Sequence, residues 1–160
     1  MRHTRHKVDL CVVGGGIAGI CAAIAAARNG AKVALMHDRP VLGGNASSEI
    51  RMWICGAHGK DMRETGILEE IELENLHLNP TPTYAMWDAV LYQMVRFEPN
   101  ITLLLNCSCH AAETEHDALT SVTGWQLTTE TTHTVEAALF ADCSGDSILA
   151  HLAGAEYRIG

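Results

Sequence analysis

Long hydrophobic runs and clustered basic residues are both missing from this 160-residue sequence. Its longest apolar stretch, residues 17–27, is well short of the roughly 20 residues that a membrane-spanning helix needs. The formal net charge is −8, which disfavours nucleic acid as a partner because that interaction needs a basic surface. The apolar run Val8–Val13 is too short for a secretory signal. We therefore predict a cytoplasmic protein that binds neither nucleic acid nor a membrane.

Cysteine is present, but its spacing is not that of a metal site or a disulfide framework. The six cysteines are spread through strand-like and helix-like segments, with no repeated C-x-x-C pair. Cys107 and Cys109 share one face of a predicted strand, yet neither a second pair nor a histidine at ligand spacing accompanies them. We expect reduced thiols and no metal.

The first 36 residues have the pattern of a strand, a helix and a second strand. The short apolar run Val8–Val13 ends at Gly14, which indicates a buried strand followed by a tight turn. The Ala-rich segment Ile17–Asn29 predicts a helix that ends before Gly30. Lys32–Met36 predicts the second strand, and a right-handed crossover would make the two strands parallel.

The rest of the chain alternates between helical and strand-like patterns after a glycine-rich loop at residues 38–66. Three tryptophans, Trp53, Trp87 and Trp125, are expected to be packing anchors. The predicted elements are helices at 65–78 and 84–97, a strand at 101–105, an antiparallel β-meander at 108–137, a separate strand at 137–141 and a short helix at 148–153.

Residues 14–19 form a G-x-G-x-x-G motif, which indicates dinucleotide binding when it lies between a strand and a helix. The motif directly follows a predicted strand and directly precedes a predicted helix. Gly14 permits the tight turn, Gly16 lets the backbone approach a pyrophosphate, and Gly19 lets the helix pack close to the strand. The alternative is that these glycines form a strand-to-helix turn without a ligand. The motif predicts dinucleotide binding at the helix N-terminus.

The end of the second strand departs from the usual pattern, in which an acidic residue binds the adenosine ribose hydroxyls. His37 occupies that position in this sequence, and Asp38 is next in line. Either side chain has the chemistry to bond a ribose hydroxyl. Both remain candidates.

A second glycine pair, Gly43-Gly44, follows at once in the segment Arg39–Asn45. These glycines would let a loop backbone run close to a bound dinucleotide, to which Asn45 and Ser47 offer short polar groups. An ordinary turn is the alternative interpretation.

The segment Gly43–Glu49 reads G-G-N-A-S-S-E. It resembles the signature of an FAD-dependent oxidoreductase family whose fold is like those of glutathione reductase and fumarate reductase. The similarity continues through residues 63–66, 87–88, 125–130 and 140–146, so it covers nearly the whole chain. The resemblance implies an α/β, Rossmann-like FAD/NAD(P)-binding domain with a parallel sheet, a helical insertion at about residues 60–98 and a β-meander crossover. It also implies noncovalent FAD, with the flavin transferring hydride or electrons.

The same resemblance implies further site residues. Asp142–Asp146 is similar to the motif that follows the β-meander in such flavoproteins, which makes Gly145 and Asp146 candidates for a closing loop. Cys109 lies where the chain passes the adenine in that family, although a buried strand thiol is an equal alternative. No catalytic residue is assigned, and a redox or proton-transfer role for Cys55 or His58 is the weaker interpretation.

The resemblance also implies that residues 1–160 are the amino-terminal FAD-binding part of a longer enzyme. A substrate-binding region and a second FAD contact would then lie beyond Gly160. Two alternatives are a catalytically incomplete fragment that binds nucleotide weakly or not at all, and an NAD-binding module of a dehydrogenase. The small-molecule substrate is not identified, and a homo-oligomer or an electron-transfer partner is left open.

Overall fold

The structure is a computed structural model that describes residues 2–57, 59–60 and 62–158. In these residues, six strands form one sheet, which is accompanied by four α-helices and two short 3-10 turns at Gly44–Ala46 and Leu127–Thr129. The strands are β1 (Arg2–Val13), β2 (Val33–Met36), β3 (Ile101–Leu104), β4 (Cys107–Glu115), β5 (Ala118–Gln126) and β6 (Thr131–Asp142). The helices are α1 (Ile17–Arg28), α2 (Gly66–Leu78), α3 (Tyr84–Arg96) and α4 (Ile148–Leu152).

The sheet has the strand order β3-β2-β1-β6-β5-β4. Its first four strands are mutually parallel, and β5 and β4 extend the sheet with antiparallel pairing. Parallel strands joined by helices, followed by a meander, are the arrangement that the sequence predicted. The α/β, Rossmann-like fold class is confirmed.

Strand β1 is twice as long as its apolar core suggests. The prediction placed it at Val8–Val13, whereas the strand begins at Arg2. The added residues are polar, and their backbone groups pair with β6 in a parallel register from Arg2 opposite Thr131 onward. The prediction was wrong at this end because pairing with a distant strand, not hydrophobicity, orders the segment.

Strand β6 also differs from its prediction. A meander ending at residue 137 and a separate strand at 137–141 were expected, but Thr131–Asp142 is one continuous strand. Its first half pairs with β5 on one side and with β1 on the other, and its second half pairs with β1. The polar-to-apolar change in the sequence therefore marks a change of neighbours and not a break.

Helices α1, α2 and α3 cover one face of the sheet, called here the helical face. Its buried core is aliphatic and includes Val12, Ile24, Leu35, Ile71 and Leu91. Trp87 packs against this core, which agrees with its predicted role as a packing anchor. The alternation of side chains along β1 and β2 directs every second residue to these helices.

The opposite face, called here the meander face, carries a second core. It contains Cys11, Ala34, Met36, Cys107 and Val122, together with Leu149 of α4. Gly124 of β5 lies directly over this core, because a Cβ added there would come within 2.6 Å of Met36 Sδ. The meander thus closes the second face of the parallel strands.

Helices α2 and α3 lie within the range predicted for a helical insertion, while the assignment of the chain as one FAD-binding domain stays a prediction. Ile71 of α2 is fully buried, whereas Leu76 of the same helix is 73% exposed. Within the described residues, no helix is long and apolar enough to cross a membrane.

Candidate functional site

A cleft of about 800 Å³ opens at the carboxyl ends of β1, β2 and β6. The turns that follow these three strands form its walls, and the loop from Gly43 to Ala46 adds another side. Parallel strands deliver their carboxyl ends to one edge of a sheet, which is where α/β folds bind ligands.

Nearly all of the predicted site residues line this cleft, and the exceptions are Gly19 and Ser47. Their roles toward a ligand remain predictions. The predicted residues on the cleft wall are Gly14, Gly16, His37, Asp38, Gly43, Gly44, Asn45, Cys109, Gly145 and Asp146.

The glycines of the first loop serve different physical needs. Gly14 has a φ of +107°, and a Cβ there would collide with the carbonyl group of Cys143. A Cβ at Gly19 would overlap the carbonyl oxygen of Gly14, so Gly19 allows close packing of α1 on the loop. Gly16 is different, because a Cβ there would meet no heavy atom of the described chain within 4 Å. The space beside Gly16 belongs to the cleft.

The N-terminus of α1 faces the cleft. Gly16 is its N-cap, and it carries no side chain that would occupy the first-turn amides. The first turn contains no acidic residue. Free N–H groups and the positive end of the helix dipole favour an anion at this position. Phosphate is the anion for which this arrangement is best suited.

The loop that carries Gly43 and Gly44 rests directly on the first loop. Gly43 N–H donates to the Gly15 carbonyl at 2.8 Å. Gly43 has a φ of +111°, and a Cβ at Gly44 would approach Gly16 Cα to 3.2 Å. Two glycine-bearing backbones therefore form one continuous wall of the cleft.

Ser47 lies behind this wall. It is fully buried, and its hydroxyl donates to the Gly44 carbonyl at 2.7 Å and accepts from Glu49 N–H at 3.3 Å. Helix α3 holds the next residue, since Ser48 N–H donates to Asp88 Oδ1 at 3.0 Å. Ser47 therefore supports the loop, while the Asn45 side chain is on the cleft.

His37 is buried at the end of β2, with 5% of its surface exposed. Its Nδ1 accepts a hydrogen bond from Gly15 N–H at 3.0 Å. Nε2 consequently carries the proton and donates to the Val41 carbonyl at 3.0 Å. Burial lowers the pKa of His37 below its ordinary range. The side chain of Asp38 is 61% exposed and lines the cleft.

The third turn is organised by Asp142. Its Oδ1 accepts from the Ser144 backbone N–H at 3.1 Å and from the Ser144 hydroxyl at 2.7 Å, and its Oδ2 accepts from Leu149 N–H at 2.8 Å. Gly145 has a φ of +85°, and a Cβ there would meet no described heavy atom within 4 Å. The turn thus presents open backbone at Gly145 and the Asp146 side chain to the cleft.

The cysteines near the cleft are protonated thiols. Burial raises the pKa of Cys109 to about 11 and that of Cys107 to about 12, and both residues line the cleft. All six cysteines are free. A thiol rather than a thiolate is a poor nucleophile and a poor metal ligand. Cys107 and Cys109 therefore contribute surface and not reactivity.

The cleft mouth contains residues that the sequence analysis did not assign to the site. Met52, Trp53 and Ile54 line it, and Trp53 is 73% exposed. The expectation that Trp53 is a packing anchor was therefore wrong. One sequence feature could have indicated that Trp53 lines the cleft: it is an aromatic residue in a glycine-bounded loop just after the glycine signature. Cys55 is exposed, and His58 lies outside the described residues.

The family of FAD-dependent oxidoreductases matches residues 9–160 of the chain. Sarcosine oxidase subunit alpha from Corynebacterium sp. (strain U-96) is 34% identical over 89 residues, which cover 54% of this chain and 9% of that protein. Fumarate reductase (cytochrome) from Shewanella frigidimarina is 59% identical over 39 residues, which cover 24% of this chain and 7% of that protein. The matched segments therefore cover less than a tenth of the length of each relative.

A solved structure shares the fold. The glycerol-3-phosphate dehydrogenase from Bacillus halodurans, complexed with FAD, superposes with a TM-score of 0.61 at 15% identity. The match covers 92% of this chain and 36% of that one. The predictions of family and of FAD as the family's cofactor are confirmed. This chain belongs to the FAD-dependent oxidoreductase family.

Proposed function

We propose that this chain is the FAD-binding part of a flavoprotein oxidoreductase and holds the cofactor noncovalently in the cleft. The observation that carries the proposal is the uncapped N-terminus of α1, with open space at Gly16, where the turns after three parallel strands meet. When bound, the flavin supplies the hydride or electron transfer, and the protein supplies position and electrostatics.

The residues present fit such a cofactor. Gly16 and the first-turn amides of α1 would bind the pyrophosphate, and Gly14 and Gly19 would keep the loop and helix close enough to do so. Gly43, Gly44 and Asn45 would follow the ribityl side, with Ser47 supporting them from behind. Gly145 and Asp146 would close the site, and Cys109 would form part of the adenine wall.

The test is flavin retention by the purified protein. FAD is added, unbound cofactor is removed by desalting, and the visible flavin absorbance is recorded. Gly16→Leu fills the open space without backbone strain, because Gly16 has a φ of −68°. We expect flavin in the unmodified protein and none in this variant. Ala25→Leu, which places the same side chain at an exposed position of α1, should retain flavin.

Loss of flavin in both variants would show a general effect on the helix. A colourless unmodified protein that folds would favour the incomplete-fragment alternative. Retention of NAD in preference to FAD would favour the dehydrogenase alternative.

The partners and location of the whole protein are further parts of the proposal. The sarcosine oxidase relative is by name one subunit of an enzyme, which supports an electron-transfer or oligomeric partner for this protein. A cytoplasmic location and a small-molecule substrate are proposed on the basis of the sequence alone.

A further inference from the structure

His37 connects the two glycine-bearing loops of the cleft. Its ring joins Gly15 N–H on one side to the Val41 carbonyl on the other, with both bonds at 3.0 Å. The His37 ring also packs closely against the Gly15 backbone, since a Cβ at Gly15 would come within 2.7 Å of His37 Cγ. The backbone of His37 is held by β3 and β4, because its N–H donates to Leu104 and its carbonyl accepts from Cys107.

This bonding leaves His37 no free ring nitrogen for a ligand. Nδ1 accepts and Nε2 donates, so a neutral imidazole has used both of its groups. The Gly15 amide is likewise occupied and is not available to a phosphate. Asp38 is the neighbouring side chain with an exposed carboxylate on the cleft.

We propose that His37 is a positioning residue that ties the glycine-rich loop to the Val41–Gly44 loop, that Asp38 rather than His37 accepts the ribose hydroxyls, and that protonation of His37 weakens FAD binding. The inference rests on the proposed function, because it assigns roles within the same site.

The geometry gives protonation two effects. A proton on Nδ1 removes the acceptor of the Gly15 amide, which is then left buried without its partner. The new N–H faces Asp38 Oδ1, only 3.4 Å away. A protonated His37 would therefore attract the Asp38 carboxylate that accepts the ribose hydroxyls. Protonation would thus weaken both the hydrogen bond between His37 and Gly15 and the bonds between Asp38 and the ribose.

Burial and the neighbouring charges determine the direction in which the pKa of His37 shifts. Burial is the largest effect and lowers its pKa, and the Arg39 guanidinium lowers it further. The carboxylates of Asp38 and Glu49 oppose this effect. The glycine-rich loop brings no titratable side chain, and the β4 residue that bonds the His37 backbone, Cys107, is a protonated thiol. His37 is thus neutral at neutral pH and gains its proton as the solution becomes acidic.

The binding experiment is a titration with FAD, followed by flavin fluorescence, between about pH 8 and about pH 5. We expect the affinity of the unmodified protein to fall by about tenfold over this range, as for loss of one or two hydrogen bonds. His37→Gln offers an amide oxygen to Gly15 and an amide N–H to Val41, and it does not titrate. Whatever its affinity at about pH 8, that affinity should stay nearly constant on acidification.

His116→Gln is the matched control, because the His116 side chain is 94% exposed and is not among the residues that line the cleft. This variant should keep the pH dependence of the unmodified protein. An unmodified protein with pH-independent affinity, or a His37→Gln variant with the original pH dependence, would overturn the proposal.

A measurement without FAD separates this inference from the proposed function. The ¹⁵N chemical shifts of the His37 ring in the cofactor-free protein should show a proton on Nε2 and none on Nδ1 at neutral pH. The Gly15 amide should shift as His37 titrates. Absence of FAD binding at every pH would reject the proposed function, whereas a proton on Nδ1 at neutral pH would reject the role of His37 by itself.

Discussion

The two faces of the sheet are packed in different ways. On the helical face, long aliphatic side chains such as Leu35 and Ile24 fill the space between the sheet and three helices. On the meander face, small and sulfur-containing residues such as Ala34, Cys11 and Met36 lie beneath the meander. Gly124 shows how close the approach is, since a Cβ there would contact both Met36 Sδ and Cys107 Sγ. The stability of the helical face therefore depends on large side chains that fill the space under the helices. The meander face instead depends on small residues that allow the meander to pack closely on the sheet.

The largest effect is expected from truncation on the helical face. Leu35 is fully buried among aliphatic side chains. Leu35→Ala should lower the free energy of unfolding by about 2–5 kcal/mol, because it removes buried methyl groups and leaves a cavity. Urea unfolding measures the change. A loss below about 1 kcal/mol would show that this face relaxes around the cavity.

The opposite change tests the meander face. Gly124→Ala adds a methyl group within 2.6 Å of Met36 Sδ and 2.9 Å of Cys107 Sγ. We expect a loss of about 1–3 kcal/mol from overpacking. The Met36 side chain is flexible at its end, so the loss should be smaller than that for Leu35→Ala. In a double-mutant cycle, Gly124→Ala should cost less in a Met36→Ala background than in the unmodified protein, and an equal cost in both backgrounds would place the strain in the backbone.

The polar end of the meander face predicts a pH dependence of stability. His6 Nε2 and His133 Nδ1 are 2.9 Å apart, and their rings stack at 5.2 Å. His133 Nε2 lies 3.2 Å from Gln126 Oε1. A proton on Nε2 of each ring satisfies both contacts, so the pair is neutral. Burial lowers the pKa of both histidines, and for His133 the neighbouring His6 and His3 add to the effect.

The unfolded chain binds a proton on each of these histidines below about pH 6.5, where the folded chain resists it. Their contribution to stability is therefore full above about pH 6.5 and decreases on acidification. Urea midpoints measured from about pH 7.5 to about pH 5 should fall, and His133→Gln should reduce the slope. His37 contributes in the same direction, so the difference between variants is the informative quantity. An unchanged slope in His133→Gln would contradict the prediction.

The smallest effect belongs to the solvent side of the helical face. Arg28 pairs with Glu70 at 2.6 Å and with Glu98 at 3.3 Å, which links α1 to α2 and to the turn after α3. Its side chain is 40% exposed, so the network is screened by solvent. Arg28→Ala should cost no more than about 1 kcal/mol, and the cost should shrink in high salt. A salt-independent loss would point to packing of the Arg28 stem instead.

The cleft was predictable where neighbouring residues carry the signal. The order of strand, glycines and helix around Gly14 and Gly16 predicted both the turn and the open helix N-terminus, because φ > 0 and close approach are local demands. The Gly43-Gly44 loop was found in the same way, whereas Gly145 was assigned through the resemblance to the family. Trp53 and Ser47 were placed less well, because exposure and hydrogen-bond partners depend on the surrounding chain.

By itself, the sequence determined the alternation of strands and helices, the glycines of the cleft and the family, because these follow from hydrophobic periodicity, backbone permissiveness and a long shared motif. Only the tertiary structure decided the start of β1 at Arg2 and the hydrogen bonds that occupy the ring of His37. Both depend on partners distant in the sequence: β6 supplies the backbone groups that order Arg2–Lys7, and Gly15 supplies the N–H that occupies His37. Hydrogen bonds between distant segments form only when the chain is folded, so their pattern is not written in local composition.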